Sequence, residues 1–286
     1  MKLKDIVLHM DASAASQSRL ELACLIARRF DAHLTGLLVT PAIVPLGSAM
    51  ADYGVMLGAD VFANIRDEQR VFIEEAGASA ERRFREQGKR DGVKFEFRSA
   101  VGTVPQQISL RTRYADIGII GQPDPKGRPL AEQLSAAGEI LLTAGRPFLV
   151  VPYAGRFPTI GERVLVAWDG SREAARAVND ALPLLVEAKS VTVLSIDPPS
   201  ASTAEEFVPG ADLAIHLARH GVKAEATSII ADDMSIGDVL LSRAADWAID
   251  LIVMGAYGHS RFRELLLGGA TRSLLKTMTI PVLMSH

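Results

Sequence analysis

The sequence predicts an α/β protein made of two tandem Rossmann-like units, each a doubly wound five-stranded parallel sheet. A length of 286 residues suits two domains better than one. Residues 5–13 (DIVLHMDAS) resemble residues 163–171 (RVLVAWDGS), which indicates an internal duplication. Short runs rich in β-branched residues alternate with helical patterns, and this alternation favours parallel strands covered by helices on both faces.

Each half reads as alternating strands and helices from its first strand to its fifth. The first strand ends in Asp-x-Ser and precedes a helical pattern, SRLELACLIARRF or REAARAVNDALPLLVEA. HLTGLLV and SVTVLSI are predicted second strands, VKFEFRS and VKAEATSII third strands, and TVPQQISLRTRYA and SIGDVLLSRAADWA third helices. ADIGIIG and AIDLIVMG are predicted fourth strands, and GRPFLVVP and MTIPVLMSH contain the fifth. Each half is therefore expected to follow the order βαβαβαβαβ.

The predicted domain boundary lies at residues 152–162 (PYAGRFPTIGE), where Pro and Gly interrupt both patterns. This gives an N-terminal half of residues 1–152 and a C-terminal half of residues 161–286. The N-terminal half has 24 more residues between its first and fourth strands than the C-terminal half. The surplus lies in PAIVPLGSAMADYGVMLGAD and the helix after it, as a flap, a partner surface or a plain surface excursion.

Composition narrows the class of protein. With 48% hydrophobic and 23% charged residues the chain is globular, and its net charge of −3 gives no general attraction to nucleic acid or an anionic membrane. The N-terminus does not have the pattern of a signal peptide, and the sequence lacks an apolar run of about 18 residues, so a cytoplasmic location is expected. Cys24 is the only cysteine and is predicted to be a core residue.

A glycine-rich segment after the fourth strand of the C-terminal half is the most informative motif. In DLIVMGAYGHSRFRELLLGGATRSLL, a buried strand leads to Gly255 and Gly258, and a helix opens after Gly268. Glycines let the backbone approach an anion closely, and the N–H groups and dipole of a helix start favour negative charge. The motif predicts a phosphate cradle; the alternative is a tight turn followed by a helix cap.

Topology brings a second group to this loop. Asp169 ends the first strand and Gly255 ends the fourth, and ligands of doubly wound sheets bind where the strand order reverses between these two strands. A nucleotide can then meet Asp169 at one end and the glycines at the other. The spacing does not match G-x-x-x-x-G-K-[ST] or G-x-G-x-x-G, which disfavours a Walker-type NTPase and a dinucleotide dehydrogenase.

AWDGSREAARAV and GAYGHSRFRELLLGG resemble the universal stress protein family. The family motif is G-x2-G-x9-G-[ST], and Gly255, Gly258 and Gly268 are in register with it. The resemblance implies an adenine nucleotide alpha hydrolase-like fold that binds ATP (or ADP or AMP), with Mg²⁺ expected beside the phosphates. It also implies that Asp169 contacts the adenosine and that backbone at Ile196 and Met254 lines the base pocket.

The predicted nucleotide-binding residues share one edge of the C-terminal sheet: Asp169, Ile196, Met254, Gly255, Gly258, His259, Gly268, Gly269, Ala270 and Thr271. Gly269 departs from the family motif, which has Ser or Thr there, so the loss of a hydroxyl puts triphosphate affinity in question. In the N-terminal half, Gly121 is kept, but Asp124 and Leu134 stand where Gly258 and Gly268 stand. That half is therefore expected to have lost ATP binding.

Other candidates are weaker. His216 and His220 share a helix face with i, i+4 spacing, but without a third ligand a role at the helix end is favoured over a metal site. Arg261 and Arg263 either offset phosphate charge or form a solvated loop face. Ser171 is predicted to cap the first helix of its half. The sequence suggests no nucleophilic catalytic set.

Three functions remain open at this stage. The first is a nucleotide-responsive stress regulator whose bound ATP biases a surface that a regulatory protein partner reads. The second is a slow Mg²⁺-dependent ATPase with weak hydrolysis at most. The third is a stress-linked scaffold with structural nucleotide. The family resemblance adds homodimer formation as an option.

Overall fold

The structure, a computed structural model, describes residues 2–41, 59–127, 129–197, 210–258 and 269–286. The strands are β1 (Asp5–Met10), β2 (His33–Thr40), β3 (Lys94–Val101), β4 (Ile117–Gly121), β5 (Phe148–Val151), β6 (Arg163–Ala167), β7 (Ser190–Ile196), β8 (Ala224–Ile229), β9 (Leu251–Gly255) and β10 (Val282–Ser285). The helices are α1 (Ala15–Phe30), α2 (Ala59–Asp91), α3 (Val104–Thr112), α4 (Leu130–Thr143), α5 (Arg172–Leu185), α6 (Ala211–Arg219), α7 (Ile236–Asp246) and α8 (Gly269–Thr277). The predicted βαβαβαβαβ order of each half is confirmed.

All ten strands form one sheet, in the order β3-β2-β1-β4-β5-β10-β9-β6-β7-β8. Within each half the strands are parallel, and the order reverses between the first and fourth strands. The halves join where β5 and β10 pair antiparallel, with Val282 opposite Val150 and Leu283 opposite Leu149. The predicted fold class is confirmed, and the continuous sheet adds a joint that the sequence did not predict.

Alternate strand residues pack into two apolar layers, one on each face of this sheet. In β6, Val164 and Val166 join the layer beneath α1 and α5, whereas Leu165 points to the opposite layer. Cys24 lies in the first layer and is fully buried, as predicted, and burial raises the pKa of its thiol to about 12. Helices on both faces follow directly from strands that are apolar on both sides.

The surplus of the N-terminal half lies largely in one helix. Helix α2 has 33 residues where its counterpart α6 has 9, a difference that equals the surplus of 24 residues. The segment between β2 and α2, which the sequence suggested as a flap, lies mostly outside the described residues. In the described ranges, no helix combines the length and the apolar character needed to cross a membrane.

Candidate functional site

The loop after β6 holds Asp169 at the carboxyl edge of the sheet. Gly170 follows with φ of +73°, a left-handed conformation that favours glycine. The Asp169 carboxylate accepts a hydrogen bond from the Ser171 backbone N–H at 2.9 Å. Ser171 Oγ accepts one from the Ala174 N–H at 3.1 Å, so Ser171 caps α5 as predicted. Asp169 is thereby held just in front of the α5 N-terminus.

The loop after β9 meets the same helix start. A Cβ added to Gly255 would lie 2.6 Å from the Ala174 backbone nitrogen, so α5 packs on the strand end too closely for any side chain. A Cβ on Gly258 would lie 3.3 Å from Ser171 Oγ and 3.2 Å from Glu173 Oε2. The loops after the first and fourth strands of this half therefore converge where the strand order reverses, as predicted.

Hydrogen bonds fix the turn between Gly255 and Gly258. Ala256 donates its N–H to the Ser285 carbonyl at 2.8 Å, and its own carbonyl lies 2.9 Å from His286 Nδ1. Tyr257 has a left-handed backbone, with φ of +61°, and donates its N–H to Thr271 Oγ1 at 3.4 Å. The turn is thus tied to β10 on one side and to the first turn of α8 on the other.

The remaining predicted residues are placed around this edge. Ile196 ends β7 and is half-buried, Met254 is buried in β9, and Thr271 is buried in α8. Gly269 and Ala270 open α8, so the starts of two helices, α5 and α8, flank the turn. Backbone N–H groups at helix starts suit an anion chemically. The predictions for His259, Gly268, Arg261 and Arg263 fall outside the described residues.

The structure adds one residue that the sequence analysis missed, Glu173. Its side chain is only 6% exposed, although it lies in the first turn of α5. Burial opposes its ionisation, but hydrogen bonds from Arg172 and from its own backbone N–H, together with the Arg172 charge, outweigh burial and lower its pKa. An acid in a first helical turn is common for dipole reasons alone, so no local pattern indicates that this one is buried beside the glycine turn.

In the N-terminal half, the space above the end of the fourth strand is filled by the Arg19 side chain. Arg19 is 3% exposed, and its guanidinium contacts the Asp11 carboxylate at 2.7 Å and the His9 carbonyl at 3.0 Å. A Cβ on Gly121 would overlap Arg19 Nη1, so the arginine fills the space above the end of β4. Burial opposes ionisation of Asp11, but the Arg19 charge together with the hydrogen bonds from Ser13 and Arg19 outweighs it and holds the Asp11 pKa well below its usual range.

Aligning the two halves shows which residues occupy corresponding positions. Matching Asp11 to Asp169 places Arg19 opposite Ala177, which is fully buried in α5. Nearby, Asp124 closes the loop after β4, since its carboxylate accepts the Lys126 N–H at 2.9 Å. A buried arginine where the other half has alanine is a signal that comparison of the two halves could have found.

Two other features lie apart from the C-terminal edge. The His216 and His220 rings pack edge to face with centroids 4.8 Å apart, and the described residues include no group of three or more His, Cys, Asp or Glu arranged to hold a metal. A cavity of about 760 Å³ lies between α2 and the carboxyl ends of β2 and β3. Neither feature contacts the turn after β9.

Comparisons with known proteins agree with this architecture. Residues 161–286 match the family model described as the Universal stress protein family. A universal stress protein of Synechocystis sp. is 31% identical over 180 residues, covering 59% of this chain and 57% of that protein, so the chain spans little more than half of that relative.

Solved structures share the fold of the whole chain. A universal stress protein from Archaeoglobus fulgidus has a TM-score of 0.71 at 16% identity, with 98% of this chain and 95% of that chain covered. A putative universal stress protein from Pseudomonas aeruginosa has a TM-score of 0.58 at 17% identity, covering 99% and 93%. Residues 161–286 therefore form a universal stress protein domain.

Proposed function

We propose that the C-terminal half binds ATP with Mg²⁺ and that the protein is a nucleotide-responsive regulator. The observation that carries this proposal is the convergence of Gly258 with Ser171 at the start of α5, which brings the Asp169 loop and the glycine turn to one point. Ligands of doubly wound sheets bind at such a reversal of strand order.

The residues suggest a division of roles. Asp169, held at the end of β6, contacts the adenosine, and backbone at Ile196 and Met254 lines the base. The phosphates rest near Gly258 and the start of α8, where backbone N–H groups and the helix dipole favour negative charge. Thr271, hydrogen-bonded to the backbone of the turn, keeps α8 in register with it.

We also propose that each chain binds one ATP. Arg19 and its ion pair with Asp11 fill the corresponding space in the N-terminal half, and Asp124 stands where a phosphate-binding glycine would be. Bound nucleotide then acts from one half only. Its effect on a protein partner follows from any difference in its affinity for two conformations of the surface that the partner reads.

Isothermal titration calorimetry with ATP and Mg²⁺ tests the proposal. The expected result is one site per chain and a rise in unfolding temperature, since a ligand at 100 times its Kd stabilises the fold by about 2.7 kcal/mol. Absence of both heat and thermal shift would refute ATP binding, and two sites per chain would refute the asymmetry. Turnover on the order of 10 per second would instead favour an enzyme.

A further inference from the structure

Glu173 presents a carboxylate to the glycine turn. The side chain is 6% exposed, and few glutamates are buried to this extent. One oxygen, Oε1, accepts a hydrogen bond from Arg172 Nε, while Oε2 lies 3.2 Å from the position that a Cβ on Gly258 would take. The two oxygens therefore face different neighbours, an arginine and the turn proposed to carry phosphate.

The surroundings of Glu173 keep its negative charge in place. It lies in the first turn of α5, where the helix dipole favours an anion. The Arg172 side chain that pairs with it is 86% exposed. A solvated guanidinium screens a buried carboxylate only in part, because exposed ion pairs contribute little free energy.

A phosphate placed beside Gly258 would thus meet a like charge. Two unit charges about 4 Å apart repel each other strongly unless water or a cation separates them. A divalent cation removes the conflict, because Mg²⁺ binds through one or two carboxylates together with substrate phosphates and keeps several waters. A single carboxylate at the edge of the site fits this mode, whereas an all-protein metal cage would need the larger cluster that the described residues lack.

We infer that Glu173 makes the C-terminal site select the divalent-cation complex of a nucleotide over the free nucleotide. This inference rests on the proposed function, since it assumes that ATP binds at this edge. Glu173 would meet the cation, directly or through a bound water, and Arg172 would set how much of the carboxylate charge the incoming phosphate feels.

The test compares ATP affinity with Mg²⁺ and with EDTA, by calorimetry on the full chain. For the unaltered protein we expect affinity to fall at least about tenfold when Mg²⁺ is removed, which corresponds to about 1.4 kcal/mol. Glu173→Gln keeps the size and removes the charge, so it should bind metal-free ATP more tightly and reduce the ratio below about threefold. Arg172→Gln should change the ratio in the opposite direction.

Asp238→Asn is the matched control, because Asp238 is a first-turn acid of another helix, α7, and is exposed. It should leave the Mg²⁺/EDTA ratio unchanged, and thermal melts report whether each variant folds. If Glu173→Gln weakens ATP binding equally in both media, its role is structural and the inference is overturned. If the unaltered protein binds ATP in neither medium, the proposed function itself has failed, which is a separate outcome.

Discussion

Replacing Arg19 tests whether a buried ion pair closes the N-terminal half. The Arg19 side chain is 4% exposed, whereas the Asp11 side chain is 35% exposed. Arg19→Met keeps most of the volume but leaves Asp11 without its partner, and removing one member of a buried pair costs about 3 kcal/mol or more. The partial exposure of Asp11 places the expected loss at the lower end, about 3 kcal/mol. This corresponds to a fall in Tm of about 6 °C or more.

Urea unfolding at pH 7 measures the loss, and Arg28→Met is the control. Arg28 lies on the same helix but is exposed, so its replacement should cost about 1 kcal/mol at most. The double variant Asp11→Asn with Arg19→Met should recover part of the stability, because neither charge is then left alone. The Asp11 pKa is lowered in the folded state, so its stabilising contribution is complete above the ordinary carboxyl pKa and decreases only in acid.

If Arg19→Met is no more destabilising than Arg28→Met, the ion pair of Arg19 with Asp11 does not stabilise the N-terminal half. ATP stoichiometry gives a second measurement on the same variant. It should stay at one per chain, because Asp124 and Leu134 remain where a phosphate loop would need glycine.

Three further predictions concern single positions. Gly258→Asp should abolish ATP binding in a calorimetric titration, because a carboxylate about 4 Å from phosphate costs about 4 kcal/mol at an effective dielectric constant of about 20. Gly258→Asn is the control that separates the effect of charge from that of size. Undiminished binding by the aspartate variant would place the nucleotide elsewhere. Gly255→Ala should destabilise the fold by about 2 kcal/mol, since its Cβ would lie 2.6 Å from the Ala174 nitrogen, and an unchanged urea midpoint would contradict that packing. Burial and the Arg19 charge lower the pKa of His9 to about 4. On acidification the unfolded state therefore binds a proton before the folded state does. Up to about 3 kcal/mol of stability should be lost as pH falls from about 6.5 to 4. Urea unfolding across that range should show a shallower decline for His9→Gln, and equal slopes would exclude His9 as a source.

The order of strands and helices could be predicted from the sequence because each strand carries a local pattern. The antiparallel joint between β5 and β10 has no such local signal. Every position of both strands is buried, as in any interior strand (Phe148–Val151 and Val282–Ser285). Neither segment indicates which strand it pairs with. A physical clue was nevertheless available, since an apolar strand left at the edge of a sheet exposes unpaired backbone groups and invites pairing. Two such edges in one chain can satisfy each other.

At the site, the sequence predicted the backbone better than the charges. The positions of Asp169 after β6, Ser171 at the α5 cap and Gly255 at the end of β9 could be predicted because strand ends, helix caps and close approaches restrict residue type locally. Glu173 was missed because Gly258, which lies beside its carboxylate in the fold, is 85 residues further along the chain. Long-range burial of a charged side chain leaves no periodic trace in the sequence around it.

Arg19 is the main structural difference between the two halves at this edge of the sheet. In the C-terminal half the corresponding residue is Ala177, and the start of α5 packs directly on Gly255. In the proposed site, backbone N–H groups and a bound cation would therefore have to offset the phosphate charge. In the N-terminal half, Arg19 supplies a cation of its own and Asp11 neutralises it, which leaves no space and no uncompensated charge for a phosphate. Positions 124 and 134 then do not need glycine, because the backbone there has no ligand to approach. Under the proposed function, the N-terminal half keeps its fold and its place in the ten-stranded sheet with Arg19 at this edge, and nucleotide would bind to the C-terminal half alone.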